Sequence, residues 1–220
     1  EDQRPGRRTA AMAKLPFGDL YDFSSEEVQQ LLHNKFVVIL GDSIQRTIYK
    51  DLVCFLQSGR LLTRSELKVK GGETFKGDHR VEFEGLHRET NYREVRQYRT
   101  DHHLVRFYFI TRICSDYMES ILEDFKADPA PDVVILNSCL WDLNRYLDRS
   151  ANEPPLQKAF REYRSNLQTL FKKLHDILPT SSLIIWNTAM PVGKEVEKAY
   201  LKPGIIDKDV EPLDEKRKAY

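Results

Sequence analysis

Nowhere in the 220 residues do eighteen apolar side chains run together, so no segment reads as a membrane-spanning helix. Cysteine is scarce. Cys54, Cys114 and Cys139 are odd in number and far apart, which fits reduced thiols better than a disulfide framework or a zinc site. Charge of one sign is missing too: 34 Lys and Arg balance 34 Asp and Glu. A general nucleic-acid binder needs a cationic excess to release counterions, so no nucleic-acid partner is expected. The first fourteen residues are basic but lack an apolar stretch, so they carry no secretory signal. A cytoplasmic location, or a nuclear one, is the expectation, with no membrane partner. No cofactor and no metal ion is expected.

The residues that are present suffice for a core, since hydrophobic side chains make up 40% of the chain. Residues 1–23 read as a disordered basic lead-in, 24–193 as the folded domain and 194–220 as a charged tail. Ser24 with Glu27 three residues later is a capping-box pattern, and Val28, Leu31 and Leu32 follow as a short amphipathic helix. Phe36-Val37-Val38-Ile39-Leu40 is a continuous apolar run, the pattern of a strand buried on both faces. A helix is predicted from about Ser43 to a C-cap at Gly59. Residues 60–102 are broken by Gly71, Gly72, Gly77 and Gly85 and read as an insertion or a mobile flap. Strands at 104–110, 132–136 and 183–186 alternate with helices at 116–126 and 156–178. That alternation predicts an α/β fold with a parallel sheet covered on both faces.

One cluster hints at nucleic acid. Arg88, Arg93, Arg96, Arg99 and Arg106 interleave with Tyr92 and Tyr98, but Glu89, Glu94 and Asp101 dilute the charge. A solvated helix or loop is the better reading.

In parallel sheets the working residues lie past the carboxyl ends of the strands. Gly41-Asp42-Ser43 follows the first strand. Gly allows a tight turn, and Ser43 then opens a helix, where free N–H groups and the dipole favour a developing anion. On the tripeptide alone, a simple helix cap by Asp42 or Ser43 is the stronger reading. Asn137-Ser138-Cys139-Leu140-Trp141 follows the third predicted strand; Asn137 either aims its amide at an oxyanion or makes an Asx-turn.

These blocks together resemble the PC-esterase branch of the SGNH/GDSL hydrolases. The resemblance rests on Gly41-Asp42-Ser43-x-x-Arg46, on Asn137-x-Cys139-x-Trp141, and on the fuller strings FVVILGDSIQRTIYKDLV, NYREVRQYRTDHHLVRFYF, PDVVILNSCLWDLNRY and LIIWNTAMPVG. It implies a flavodoxin-like three-layer α/β/α sandwich and an esterase or acyltransferase acting on a small acyl ester or an acylated glycan. By position it implies Ser43 as nucleophile, with its own N–H and the Asn137 side chain as oxyanion donors. Arg46 would stabilise charge or orient the Ser43 loop, and Asp42 would hold the turn. A non-catalytic binding or interaction protein of the same fold is the alternative.

The family's general base comes from a late Asp-x-x-His block, and this sequence has none. Its histidines are His33, His79, His87, His102, His103 and His175, none preceded by Asp at that spacing; His87 follows Glu84 instead. The resemblance fades after about Gly193, so the domain is expected to lack its last elements and to be catalytically impaired. The second strand is followed by Thr111-Arg112-Ile113, with no Gly to offer a further oxyanion donor.

Overall fold

The computed structural model describes residues 22–69, 72–87, 91–127, 129–145 and 155–189. The expected lead-in, apart from Asp22 and Phe23, and the expected tail lie outside them. The elements in chain order are α1 (Ser25–Leu31), β1 (Lys35–Gly41), α2 (Ser43–Ser58), α3 (Arg64–Lys68), β2 (His79–His87), β3 (Asn91–Arg99), β4 (His103–Phe109), α4 (Asp116–Lys126), β5 (Val133–Leu136), α5 (Leu140–Arg145), α6 (Pro155–Ile177) and β6 (Leu183–Trp186).

Six strands form one sheet in the order β2-β3-β4-β1-β5-β6. β4, β1, β5 and β6 pair in parallel, while β2 and β3 extend the sheet as an antiparallel hairpin. Counted along the chain, the parallel strands lie in the spatial order second, first, third, fourth, which is the flavodoxin-like winding. The switch point therefore falls at β1, between β4 on one side and β5 on the other.

Side-chain alternation divides the core into two layers. Phe36, Val38 and Leu40 pack with Met118, Ile121 and Phe125 of α4 and with Leu170 and Leu174 of α6. Val37 and Ile39 pack on the opposite face with Tyr49, Val53 and Leu56 of α2, and Val28 and Leu32 of the α1 region close that layer. The result is a three-layer α/β/α sandwich. Local chemistry sets the helix limits. Ser24 Oγ accepts from Glu27 N–H at 3.2 Å while the Glu27 carboxylate accepts from Ser24 N–H at 2.8 Å. Gly59 ends α2 with φ at +62°, where a side chain would be strained.

The described part of residues 60–102 is not a flap. It contains α3, β2 and β3, and the hairpin is integral to the sheet. The solvated helix-or-loop reading of the Arg/Tyr cluster is corrected at the inward positions of β3; Arg99 is exposed, and Arg88 and Glu89 lie outside the described residues. Arg96 has 0% of its surface exposed, on the α2 face of β3. Its guanidinium grips Asp78 through Nε at 2.7 Å and Nη2 at 2.9 Å, and Nη1 reaches Glu94 at 3.0 Å. A buried charge is tolerated only when paired and fully hydrogen-bonded, and this one is.

Candidate active site

The β1–α2 turn carries the first part of the site. Gly41 pairs with Phe109 of β4, and Ile110 N–H donates to its carbonyl at 2.9 Å. A Cβ on Gly41 would lie 2.1 Å from Gln45 Cγ and 2.7 Å from the Asn137 carbonyl oxygen, so only glycine lets β1, α2 and the β5 end approach this closely. Asp42 is the N-cap of α2, and its side chain accepts from Ile44 N–H at 2.8 Å. Burial pushes its carboxyl above the ordinary carboxylate range, opposed by the backbone N–H groups of Ile44 and Gln45 and by Arg46.

Ser43 is exposed at the first helical position. Its carbonyl accepts from Thr47 Oγ1 at 3.1 Å. Beneath it Gln45 is buried, and its Oε1 has no partner among the described residues.

Asn137 lies at the end of β5, the strand beside β1 at the switch point, and it is buried. Its N–H donates to Leu40 at 3.0 Å, and its side-chain amide donates to the Asn187 carbonyl. A primary amide carries two N–H bonds, so among the described residues one donor direction remains. The next residues form a second polar knot. Ser138 Oγ donates to the buried Asp142 carboxylate, which also accepts from Ile113 N–H at 3.2 Å. The Ile113 backbone donor is therefore committed to Asp142. Burial raises the Asp142 carboxyl to about 6, against the hydrogen bonds from Ser138 and Ile113 and the charge of Arg112. Cys139 is half-buried; burial raises its thiol, and the charges of Asp142 and Asp42 act in the same direction.

Arg46, one helical turn after Ser43, is held in place. Its Nη1 donates to Glu94 at 2.7 Å and to the Tyr92 hydroxyl at 3.2 Å, and its guanidinium lies 5.5 Å from the Phe109 ring centre. Burial pushes the Glu94 carboxyl up, but Arg46, Arg96 and Tyr92 together hold it below its ordinary value. The alternation in NYREVRQYR gave no sign of this, because the residues facing α2 are Tyr92, Glu94, Arg96 and Tyr98. The available signal was sign complementarity with Asp78 and Arg46.

Ser43, Asp42, Arg46 and Asn137 thus meet at one end of the sheet. Five of the six histidines do not join them. His33 and His102 stack at 4.6 Å at the opposite end, and His103 stands beside them at the start of β4, bonded to Thr100 and to the Gln29 carbonyl. His79 begins the outer strand β2, and His175 lies in the last turn of α6. The backbone of His87, paired with Asn91, ends β2 on the Ser43 side of the sheet. Among the described residues no group of His, Cys, Asp and Glu could hold a metal ion, and no helix is long and apolar enough to cross a membrane.

Comparison with known proteins bears on this site. The chain is 51% identical over 190 residues to human PC-esterase domain-containing protein 1A, covering 84% of this chain and 40% of that protein. It is 53% identical over 186 residues to the mouse 1A protein, covering 82% of this chain and 39% of the relative. It is 50% identical over 181 residues to the rat 1B protein, covering 80% and 40%. The chain is a homologue of the PC-esterase domain-containing proteins. It spans about 40% of the length of these relatives. No family model matches the chain, and no solved structure matches it.

Proposed function

We propose that this domain is a serine-dependent acyl esterase or acyltransferase of the SGNH/GDSL type. The observation that carries the proposal is the placement at the β1/β5 switch point: Ser43 is exposed at the N-terminus of a sixteen-residue helix, and Asn137 ends the neighbouring strand β5. Ser43 Oγ attacks the ester carbonyl carbon and loses its proton to a base. The carbonyl oxygen becomes an oxyanion, held by the Ser43 N–H, the helix dipole and the second N–H of Asn137. Collapse expels the alcohol, which takes up a proton, and leaves an acyl-serine for water or an acceptor alcohol. Asp42 fixes the turn through Ile44 N–H, and Arg46 orients α2 through Glu94.

The weak point is the base. The sequence has no Asp-x-x-His block, and a serine hydroxyl is a poor nucleophile without one. With oxyanion donors and binding alone, acceleration over water is roughly 10³–10⁴. This chain by itself is therefore a feeble catalyst. A second reading, a binding module of the same fold, draws support from the five histidines His33, His79, His102, His103 and His175, whose elements lie away from Ser43.

Fluorophosphonate labelling followed by intact-mass measurement tests the proposal on protein shown to be folded by circular dichroism. One adduct, lost in Ser43→Ala and after heat denaturation, upholds the proposal and means that a base other than an Asp-x-x-His histidine activates Ser43. A folded chain that takes no label carries an unactivated serine, and the binding-module reading then replaces the esterase one.

A further inference from the structure

Four aromatic rings stand edge to face across the α2 side of the sheet, at the end where Ser43 lies. Phe83 meets Tyr92 at 5.9 Å and 87°, Tyr92 meets Phe109 at 4.4 Å and 66°, and Phe109 meets Trp141 at 5.9 Å and 87°. Register explains the alignment. Phe83 lies opposite Glu94, two residues on from Tyr92, and Phe109 lies opposite Gly41, so all these positions share one face. The row runs from the outer hairpin, crosses β1 at Gly41 and ends after β5. Gly41 is two residues before Ser43, so the rings pass the turn that carries the serine.

The row is apolar where it is open. Phe83 is 50% exposed, and Tyr92 and Trp141 are partly so. Its polar groups are turned on one another. The Tyr92 hydroxyl donates to Glu94 at 2.9 Å and accepts from Arg46, and Arg46 is itself paired with Glu94. The faces of two rings are occupied by cations: Arg80 lies 4.1 Å from the Phe83 centre and Arg46 lies over Phe109. A sugar ring needs an open aromatic face and free hydrogen-bonding groups around it. A hydrocarbon chain needs only dry surface.

We propose that this row is the acyl-binding wall of the site and takes the hydrocarbon of a medium-chain acyl group whose carbonyl stands at Ser43. The inference rests on the reading of Ser43 as nucleophile, but its test separates the two. Octanoate and acetate share a carboxylate head, so their difference in affinity reports the hydrocarbon alone. Trp141 ends the row, while Trp186 packs against Phe171 on the other face of the sheet, so fluorescence quenching lost in Trp141→Phe reports binding at the wall.

Octanoate is expected to bind at least about tenfold tighter than acetate, and Phe83→Ala to erase about tenfold of that preference while leaving acetate unchanged. Equal affinities for the two acids, or octanoate binding untouched by Phe83→Ala, overturn the wall whatever Ser43 does. Octanoate binding that depends on Phe83 in a chain whose Ser43 takes no fluorophosphonate upholds the wall and removes the esterase reading. Labelling at Ser43 equally fast by ethyl and octyl fluorophosphonates, with no octanoate preference, does the reverse.

Discussion

The helix that bears Ser43 has two flanks, and they are built differently. Toward the hairpin, α2 is fastened by charge. Arg46 and Tyr49 reach Glu94 and Asp78, Arg96 bridges those two carboxylates, and Lys50 donates to the Val69 carbonyl. Two cations and two anions close the Arg46–Glu94–Arg96–Asp78 chain with no net charge. Toward β6 the sheet offers only hydrocarbon, and the described residues leave part of it open: Leu183 is 56% exposed and Ile185 39%. Both project to the α2 face, because they pair with Val133 and Ile135. The first flank is specific and unforgiving, since a buried ion tolerates no missing partner. The second is permissive, because an exposed apolar side chain contributes little until something covers it.

The sharpest way to break this contrast is to cut the network at its centre. Arg96→Ala leaves Asp78 and Glu94 facing each other without their shared cation, in a place that water does not reach. Loss of about 3–5 kcal/mol is expected in urea unfolding. Arg96→Met combined with Asp78→Asn, which removes one cation and one anion and leaves the Arg46–Glu94 pair intact, is expected to recover part of the loss. A loss under about 1 kcal/mol for Arg96→Ala would mean the hairpin side is no more exacting than a surface.

A smaller effect is expected at Asp142, on the β5 side of the site. Its folded-state value of about 6 lies above the ordinary 3.8 for aspartate. The folded protein therefore holds this proton more tightly than the unfolded chain. The resulting stabilisation is complete below about pH 4 and is lost as pH rises through 6. Asp142→Asn cannot titrate. The stability of the parent relative to Asp142→Asn is expected to fall by about 2–3 kcal/mol between pH 4 and pH 7, read from paired denaturation curves. Asp42 is displaced in the same direction by burial and is present in both proteins, so the difference isolates Asp142.

How much of this was legible beforehand follows the same division. Apolar runs announce themselves, so β1, β4, β5 and β6 were readable to within a residue or two, as were α2, α4 and α6. Ser24 and Glu27 announced α1 through their spacing. The hairpin was hidden because its inward positions are not apolar. Glu94 and Arg96 face α2 in a strand whose sequence reads as solvated, and their burial becomes sensible only once Asp78 and Arg46 are known to stand opposite. Pairing between distant charges leaves no local period. At the candidate site, Gly41, Ser43 and Asn137 were singled out by the rule that chemistry gathers at strand ends, and all three lie at that end of the sheet. The commitments of Arg46 to Glu94 and of Ile113 N–H to Asp142 were not visible, since each joins residues tens of positions apart.

The smallest effect sharpens the permissive flank. Ile185→Thr keeps the β-branch and hence the strand preference, and exchanges a methyl-bearing arm for a hydroxyl at a position already more than a third exposed. With β6 at the edge of the sheet as described, the change in unfolding free energy is expected within about 0.5 kcal/mol. Its partner on the opposite face provides the scale: Trp186 packs edge-on to Phe171 at 5.9 Å, and Trp186→Ala is expected to cost several times more. A loss of about 1.5 kcal/mol or more for Ile185→Thr would instead place Ile185 in a dry contact, which requires polypeptide beyond Ala189 to lie over β5 and β6. The two flanks of α2 would then differ in the kind of surface that closes them, charge on one side and hydrocarbon on the other, and no longer in whether they are closed.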